Sequence, residues 1–308
     1  MKLINEETSG VFVIAVTPFD ETGAIDWASL DRVTDFYFEA GADGLTLLGM
    51  MGEAPKMTQA EAIEITKRVI ARAGDKPIVI GVSAPGLASI RELGQTVMEL
   101  GAAGVMVAPP GSLKTDPQIH AYYGQVVEAL GDDIPVVLQD FPLSTGVNIS
   151  MDVLGRIIED YPSIKMLKHE DWPGLAKISA IRDAEAKGRR RLSILCGNGG
   201  LFLSEEVERG ADGAMTGFAY PEMMVAVTRE MKAGNADRAR DLMDVYLPLI
   251  RYETQPGLGL AVRKYVLAKR GAIASPALRK PGKSLDARSA AEVDILMDRI
   301  EKRLKEIG

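Results

Sequence analysis

Residues 77–108 read PIVIGVSAPGLASIRELGQTVMELGAAGVMVA, and this one stretch contains the repeating unit of the chain. It opens on an apolar run at 77–82, rich in Val and Ile, which reads as a buried strand. The segment LASIRELGQTVMELG then reads as a helix, and a second apolar run, GVMVA at 104–108, reads as the next strand. A strand, a helix and a further strand within about 30 residues make one βα unit joining parallel strands.

The same alternation runs outward in both directions. Upstream lie GVFVIAVTPF at 10–19, broken at Pro18, a helical segment from Asp26 that stops at Gly41, and GLTLL at 44–48. Downstream come IPVVL at 134–138, IKMLK at 164–168, LSIL at 192–195 and GAMT at 213–216. Helical stretches such as TQAEAIEITKRVIARAG, QIHAYYGQVVEALG, MDVLGRIIEDY and LAKISAIRDAEAKG separate the strands. Eight short strand candidates predict an α/β fold of the closed (β/α)8 TIM barrel type, whereas open sheets more often have about five or six strands. Alternation alone does not demonstrate closure, so a doubly wound sheet stays as the alternative. Three further helical segments, ADRARDLMDVYLPLIRY, GLGLAVRKYVLAKRG and DARSAAEVDILMDRIEKRLKEIG, exceed the minimum barrel. They predict a barrel over 1–233 and a C-terminal helical extension over 234–308, packed on its outside or forming an oligomer surface.

Composition narrows the partners. The 308 residues are 46% apolar and 26% charged, which fits neither disorder nor a fibrous chain. The net charge is −7, and binding to nucleic acid or to an anionic membrane usually needs a concentrated positive patch, so neither is expected as a partner. A locally positive pocket for a small anion remains compatible with an acidic chain. Cys196 is the one cysteine, which precludes an intrachain disulfide and makes a reducing, cytoplasmic setting the expectation. The first ten residues lack an apolar signal core, and no apolar run reaches the roughly 20 residues of a membrane span. No Gly-x-Gly-x-x-Gly follows the first strand, no Walker loop is present, and His120 and His169 lie on different elements without zinc-like spacing. Neither a cofactor nor a metal is expected.

In a barrel of this kind, chemistry sits at the carboxyl ends of the strands. Lys168 ends the sixth strand, on the face that alternation assigns to Ile164 and Met166, while Lys165 points with Leu167 to the helix layer. A lysine facing a barrel is costly to keep as a cation, and a neutral amine attacks a ketone. An ordinary lysine reaching solvent at a strand exit is the alternative that the pattern leaves open. Glu170 shares that side of the chain as a candidate proton-transfer group, or else serves as a loop or salt-bridge residue. CGNGG at 196–200 offers amides and close backbone approach, so Gly197 and Asn198 are candidate binding residues or simply a tight turn. Thr216 and Gly217 follow the eighth strand. Thr17 follows the first, to orient Lys168, bind substrate or satisfy its own turn. Trp172 and residues 252–255 are read first as packing and capping groups, with cover of a pocket by Trp172 and approach of 252–255 to the barrel mouth as the alternatives.

The order of VTPF (16–19), GMMGE (49–53), QDFPLSTG (139–146) and MLKHE around Lys168 resembles the dihydrodipicolinate synthase and N-acetylneuraminate lyase superfamily over roughly residues 10–305. The resemblance implies a class I lyase in which Lys168 forms a Schiff base with a small 2-oxo acid. It also implies a homodimer or homotetramer. Gly49, Met50 and Met51 stand where the family commonly has glycine and two hydroxyl residues, and thioethers donate no hydrogen bond. Gln139 takes the place of a catalytic tyrosine, Ser144 that of an arginine binding the second substrate's carboxylate, and Gly111 that of a tyrosine supplied by a neighbouring subunit.

The segments LQDFPLSTG, LKHEDWPG, GAMTGFAYPE and LPLIRYETQPG look instead like the 2-keto-3-deoxy-sugar-acid dehydratases, especially those acting on 2-keto-3-deoxyarabonate. Loss of the tyrosine harms this reading less, because dehydration needs a C3 base and an acid for the departing hydroxyl, not deprotonation of the C4 hydroxyl. The expectation is therefore catalysis by Lys168, Gln139 and Glu170. Substrate binding is expected from Thr17, Gly49, Met50, Met51, Asp140, Ser144, Gly197, Asn198, Thr216 and Gly217, with Asp140 equally readable as a loop anchor. A pyruvate-dependent aldolase, a dihydrodipicolinate synthase with a rearranged site, and a noncatalytic 2-oxo acid sensor are the rival readings.

Overall fold

Strands with apolar residues on both faces need cover on both sides, and a closed barrel wrapped by helices supplies it. A computed structural model describes residues 2–308. Its strands are β1 (Gly10–Ile14), β2 (Gly44–Leu47), β3 (Ile78–Gly81), β4 (Gly104–Val107), β5 (Val136–Asp140), β6 (Ile164–His169), β7 (Ser193–Cys196) and β8 (Gly213–Thr216). All pair in parallel in sequence order, and β8 returns to β1. That last pairing closes the barrel and removes the open-sheet alternative.

The helices are α1 (Trp27–Glu39), α2 (Gln59–Ala73), α3 (Leu87–Glu99), α4 (Asp116–Leu130), α5 (Pro142–Thr145), α6 (Met151–Asp160), α7 (Leu175–Ala186), α8 (Leu203–Glu208) and α9 (Pro221–Lys232), followed by α10 (Ala236–Glu253), α11 (Gly259–Lys269) and α12 (Ala287–Ile307). Local chemistry sets their starts. The Asp26 side chain accepts from the Ser29 amide ahead of α1, and Thr58 and Glu61 form a reciprocal capping box ahead of α2. Each such cap satisfies amides that the first turn leaves free, worth about 1 kcal/mol.

Two cores share the strands. Phe12, Ile14, Val79, Met106, Val137, Met166, Leu195 and Met215 fill the barrel interior, with Ile4 packed among them. The alternate residues, including Val11, Val13, Leu45, Leu47, Val136 and Leu138, pack against the helices. The interior is therefore a packed plug, and polar side chains on the inward rows of β5 and β6 come one step further on. Val137 and Met166 are followed by Gln139 and Lys168, which are register neighbours at the mouth.

Three strand expectations change. The run at 10–19 is a strand only to Ile14, and the chain beyond it crosses the mouth, where the Thr17 hydroxyl donates to the Gly52 carbonyl at 2.7 Å. β5 starts at Val136 and runs on to Asp140, because Gln139 and Asp140 still pair with Lys168 and His169. Ile164 does not share the face of Lys168. The pairing steps from Val136 with Ile164 to Val137 with Met166, so Lys165 is an extra residue in β6 and Ile164 falls into the helix-facing core. A bulge of this kind shifts the side-chain phase by one residue. Lys165 itself reaches Glu6 at 2.8 Å.

Candidate active site

Lys168 emerges from β6 with its side chain only 6% exposed, and its Nζ lies 2.9 Å from Glu170 Oε2. Gln139, on the neighbouring strand, donates through Nε2 to the same carboxylate oxygen at 2.8 Å. Glu170 is held by its backbone as well, since its amide donates to the Asp140 carbonyl at 2.8 Å. The result is an amine, a carboxylate and an amide in one buried line. A carboxylate so close to an amine can take its proton, and the free amine is then a nucleophile.

The cavity containing this pair has a volume of about 650 Å³. Ile14, Met50, Met51 and Ser144 contribute to its wall, as do Asn198, Thr216 and Gly217. Met50–Gly52 forms a short helical turn, whose leading amides have no partner within the turn. The Ser144 hydroxyl donates to Met50 Sδ at 3.1 Å, and Met50 is 44% exposed, so these two sit at the rim. The Thr216 hydroxyl accepts from the Gly199 amide at 2.9 Å, which ties the turn after β7 to the end of β8.

Several candidates stand behind the wall. Thr17 spends its hydroxyl on Gly52, and Gly49 and Gly197 act through space rather than contact. A Cβ at Gly197 would lie 2.1 Å from Glu170 Cγ, so only glycine lets Glu170 occupy its position beside Lys168. Gln139 is buried behind Glu170, where it orients the carboxylate. Asp140 points to the helix layer, as its strand position requires, and pairs with Lys177 at 2.6 Å. Burial pushes the Asp140 carboxyl up to about 6 against the opposing pull of Lys177. His169, brought down to about 4 by burial and by Lys177, bonds through Nε2 to the Gly174 carbonyl at 3.1 Å. Among the described residues no cluster of His, Cys, Asp and Glu could hold a metal ion.

Residues 7–300 match the model of the Dihydrodipicolinate synthetase family. The chain belongs to that family. A crystallised dihydrodipicolinate synthase from Rhodopseudomonas palustris is 54% identical, with a TM-score of 0.96 over 97% of this chain and 100% of that one. An L-2-keto-3-deoxyarabonate dehydratase from Azospirillum brasilense is 29% identical over 298 residues, covering 95% of this chain and 94% of that protein. A 4-hydroxy-tetrahydrodipicolinate synthase from Chlorobaculum parvum is also 29% identical, over 273 residues that cover 87% of this chain and 90% of that protein. The family thus includes both lyases and synthases among its similar members. No helix of this member, among the described residues, is long and apolar enough to cross a membrane.

The wall also contains residues that the sequence reading treated as packing groups or left inside a helix. Trp172 lines the cavity and packs against Phe202 in a tilted arrangement with ring centroids 5.1 Å apart. Glu253, Thr254 and Gln255 reach the cavity from the end of α10, and Arg263 reaches it from α11. Tyr252 turns away, donating to Glu292 at 2.7 Å. A charged residue amid the apolar face of a tail helix was the available signal for Glu253 and Arg263.

Two expected results follow from the residues behind the wall. Gly197→Ala displaces Glu170 from Lys168 and should lower kcat/KM about 100-fold on whichever 2-oxo acid is turned over, measured beside unchanged circular dichroism. An alanine variant of wild-type rate would remove the packing argument. The second concerns Glu206 on α8, whose carboxyl is pushed up to about 8 by burial against the Cys196 thiol's opposing contribution, with Glu205 and Glu170 adding to the rise. Its folded value lies above the unfolded 4.5, so its stabilising contribution is complete below 4.5 and is lost as pH rises toward 8. Glu206→Gln should raise Tm at pH 8 by at least about 3 °C and leave it nearly unchanged at pH 4.5, which thermal melts at both pH values would check.

Proposed function

We propose that this chain is a Schiff-base lyase acting on a 2-oxo acid, and that its reaction is the dehydration of a 2-keto-3-deoxy sugar acid. The observation that carries this reading is the buried Lys168–Glu170 contact of 2.9 Å inside the cavity. Lys168 Nζ gives up a proton to Glu170 and attacks the C2 ketone, and the adduct loses its hydroxyl as water with that proton returned by Glu170, leaving an iminium beside a free carboxylate. The iminium draws electrons from C3, so Glu170 can remove a C3 proton to give an enamine. The enamine then pushes out the C4 hydroxyl, which leaves as water with the proton that Glu170 returns. Hydrolysis of the conjugated iminium frees Lys168 and releases an unsaturated 2-oxo acid, which tautomerises toward a semialdehyde. The substrate's own carboxylate is held by the leading amides of the turn at Met50–Gly52, with Asn198 and Thr216 completing the pocket.

Charge counting supports dehydration over the synthase reaction. The charged side chains in the wall are Lys168 with Glu170 and Arg263 with Glu253, two mutually neutralising pairs. Among the described residues of the wall no free cation is left to receive a second carboxylate, and Ser144 is engaged with a thioether. The condensation of pyruvate with an aldehyde remains the second reading, favoured by the name of the 54% identical relative. Incubation with 2-keto-3-deoxyarabonate, with formation of the semialdehyde followed by a coupled dehydrogenase, tests the first reading. Aldehyde-dependent consumption of pyruvate without any dehydration would replace it by the second.

A further inference from the structure

The turn at Met50–Gly52 faces the cavity with two thioether side chains, and its tie on that side is the Ser144 hydroxyl on Met50 Sδ, a weak acceptor. Firmer support comes from behind. The turn ends on Glu53, whose φ of 58° lies in the left-handed region and whose amide donates to the Met50 carbonyl at 3.0 Å. Glycine adopts that backbone at least cost, so a glutamate there has a use for its side chain. Glu53 is buried, and both of its carboxylate oxygens are engaged. Oε1 accepts from Lys264 Nζ on α11 and Oε2 accepts from Lys56 Nζ, each at 2.6 Å. Lys56 Nζ also donates to the Arg279 carbonyl at 2.7 Å, which ties the same segment to the tail a second time.

Lys264 is 0% exposed, and its Nζ donates to the Ala277 carbonyl at 2.9 Å and lies 4.4 Å from the centroid of the Phe19 ring. Burial brings its ammonium down to about 8 against the pull of Glu53. An ion pair taken this far out of water is a weak source of stability, because well-packed apolar side chains of similar volume often serve a fold as well. What it does supply is direction, since short charge-assisted bonds fix a carboxylate at one point. We propose that Lys264 is a positioning residue: through Glu53 it sets the aim of the Met50 and Met51 amides, and thereby the affinity of the site for the substrate's carboxylate. Completely buried, it touches no substrate itself. This assignment rests on the reading that the turn receives that carboxylate, and extends it to the tail helix that holds the turn.

The test is reductive trapping of Lys168 by cyanoborohydride over a range of concentrations of pyruvate and of pyruvamide, which has the same ketone but a neutral amide in place of the carboxylate. The wild type should be half-saturated by pyruvate at a concentration at least about tenfold lower than by pyruvamide, because bonds to a charged acceptor are about twice as strong as neutral ones. In Lys264→Met the half-saturating pyruvate concentration should rise about tenfold or more, since misplacement by about 1 Å can cost up to about 100-fold. The value for pyruvamide and the maximal trapping rates should stay within about threefold of the wild type. An equal loss with both compounds marks a merely structural lysine and overturns the assignment, as does unchanged saturation by pyruvate. The double variant Glu53→Gln/Lys264→Met leaves no carboxylate without its buried partner, should behave as Lys264→Met does, and decides the matter if the single variant does not fold. Wild-type trapping that ignores the carboxylate removes the turn as its site and the role of Lys264 with it, while keeping the imine. Absence of trapping in the wild type removes the imine reading, and the assignment falls with it.

Discussion

A Lys168→Arg variant is expected to lose turnover by at least about a thousandfold and to yield no reduced adduct when treated with pyruvate and borohydride. Arginine keeps a cation next to Glu170, so the buried carboxylate retains a partner and the barrel has no reason to unfold. What arginine cannot do is form an imine, because its guanidinium does not give up a proton in proteins. Peptide mass spectrometry of the wild-type adduct should place the label on Lys168, on the peptide containing MLKHE. A label on Lys177 or Lys165 would count against the mechanism. So would turnover in the arginine variant. Lys165 is held by Glu6 outside the barrel, and Lys177 is spent on Asp140, Asp171 and the Ile149 carbonyl, so neither has a free path to the cavity. A folded wild type that binds 2-oxo acids tightly and gives no adduct would bring forward the sensor reading.

Glu170→Gln should separate imine formation from proton transfer. The substitution preserves size but removes the acceptor for the C3 proton, and a positioned general base commonly contributes about 100- to 10,000-fold. The expected result is a fall of that order in kcat with little change in KM. In heavy water the wild type should exchange the methyl protons of pyruvate through the enamine, and the variant should exchange them at least about 100-fold more slowly, while slow borohydride trapping persists. A merely structural Glu170 would lower trapping and exchange by the same factor, whereas a C3 base loses exchange by much the larger one. Exchange at the wild-type rate would move the base elsewhere, to a bound water or another group.

The sequence made the strands legible because burial on both faces leaves continuous apolar runs between turn and helix signals, and alternation along the strand then separates Gln139 from Asp140 onto opposite faces. Closure was not legible, since it depends on β8 meeting β1 and no local pattern records that pairing. Lys168 was assigned the mouth by counting from Ile164, yet the bulge at Lys165 moves Ile164 to the other face. Phase is reliable only for the residues after the bulge. The loop candidates fared less evenly, because strand alternation says nothing about a turn. Met50, Met51, Ser144 and Asn198 reach the cavity, while Thr17, Gly49 and Gly197 stand behind its wall. The Glu253–Arg263 pair joins two separate helices across ten residues and meets the end of β8, so only the folded chain brings its charges together.

The tail's place in the cavity wall has a consequence for the order of synthesis. Translation proceeds from the amino end, and the eighth strand is complete at Thr216, well before Arg263 has been added. A nascent chain of that length already contains every strand and its amine at Lys168, but one side of its pocket has yet to be made. The cavity wall is therefore completed late, after the sheet that positions Lys168 already exists as sequence.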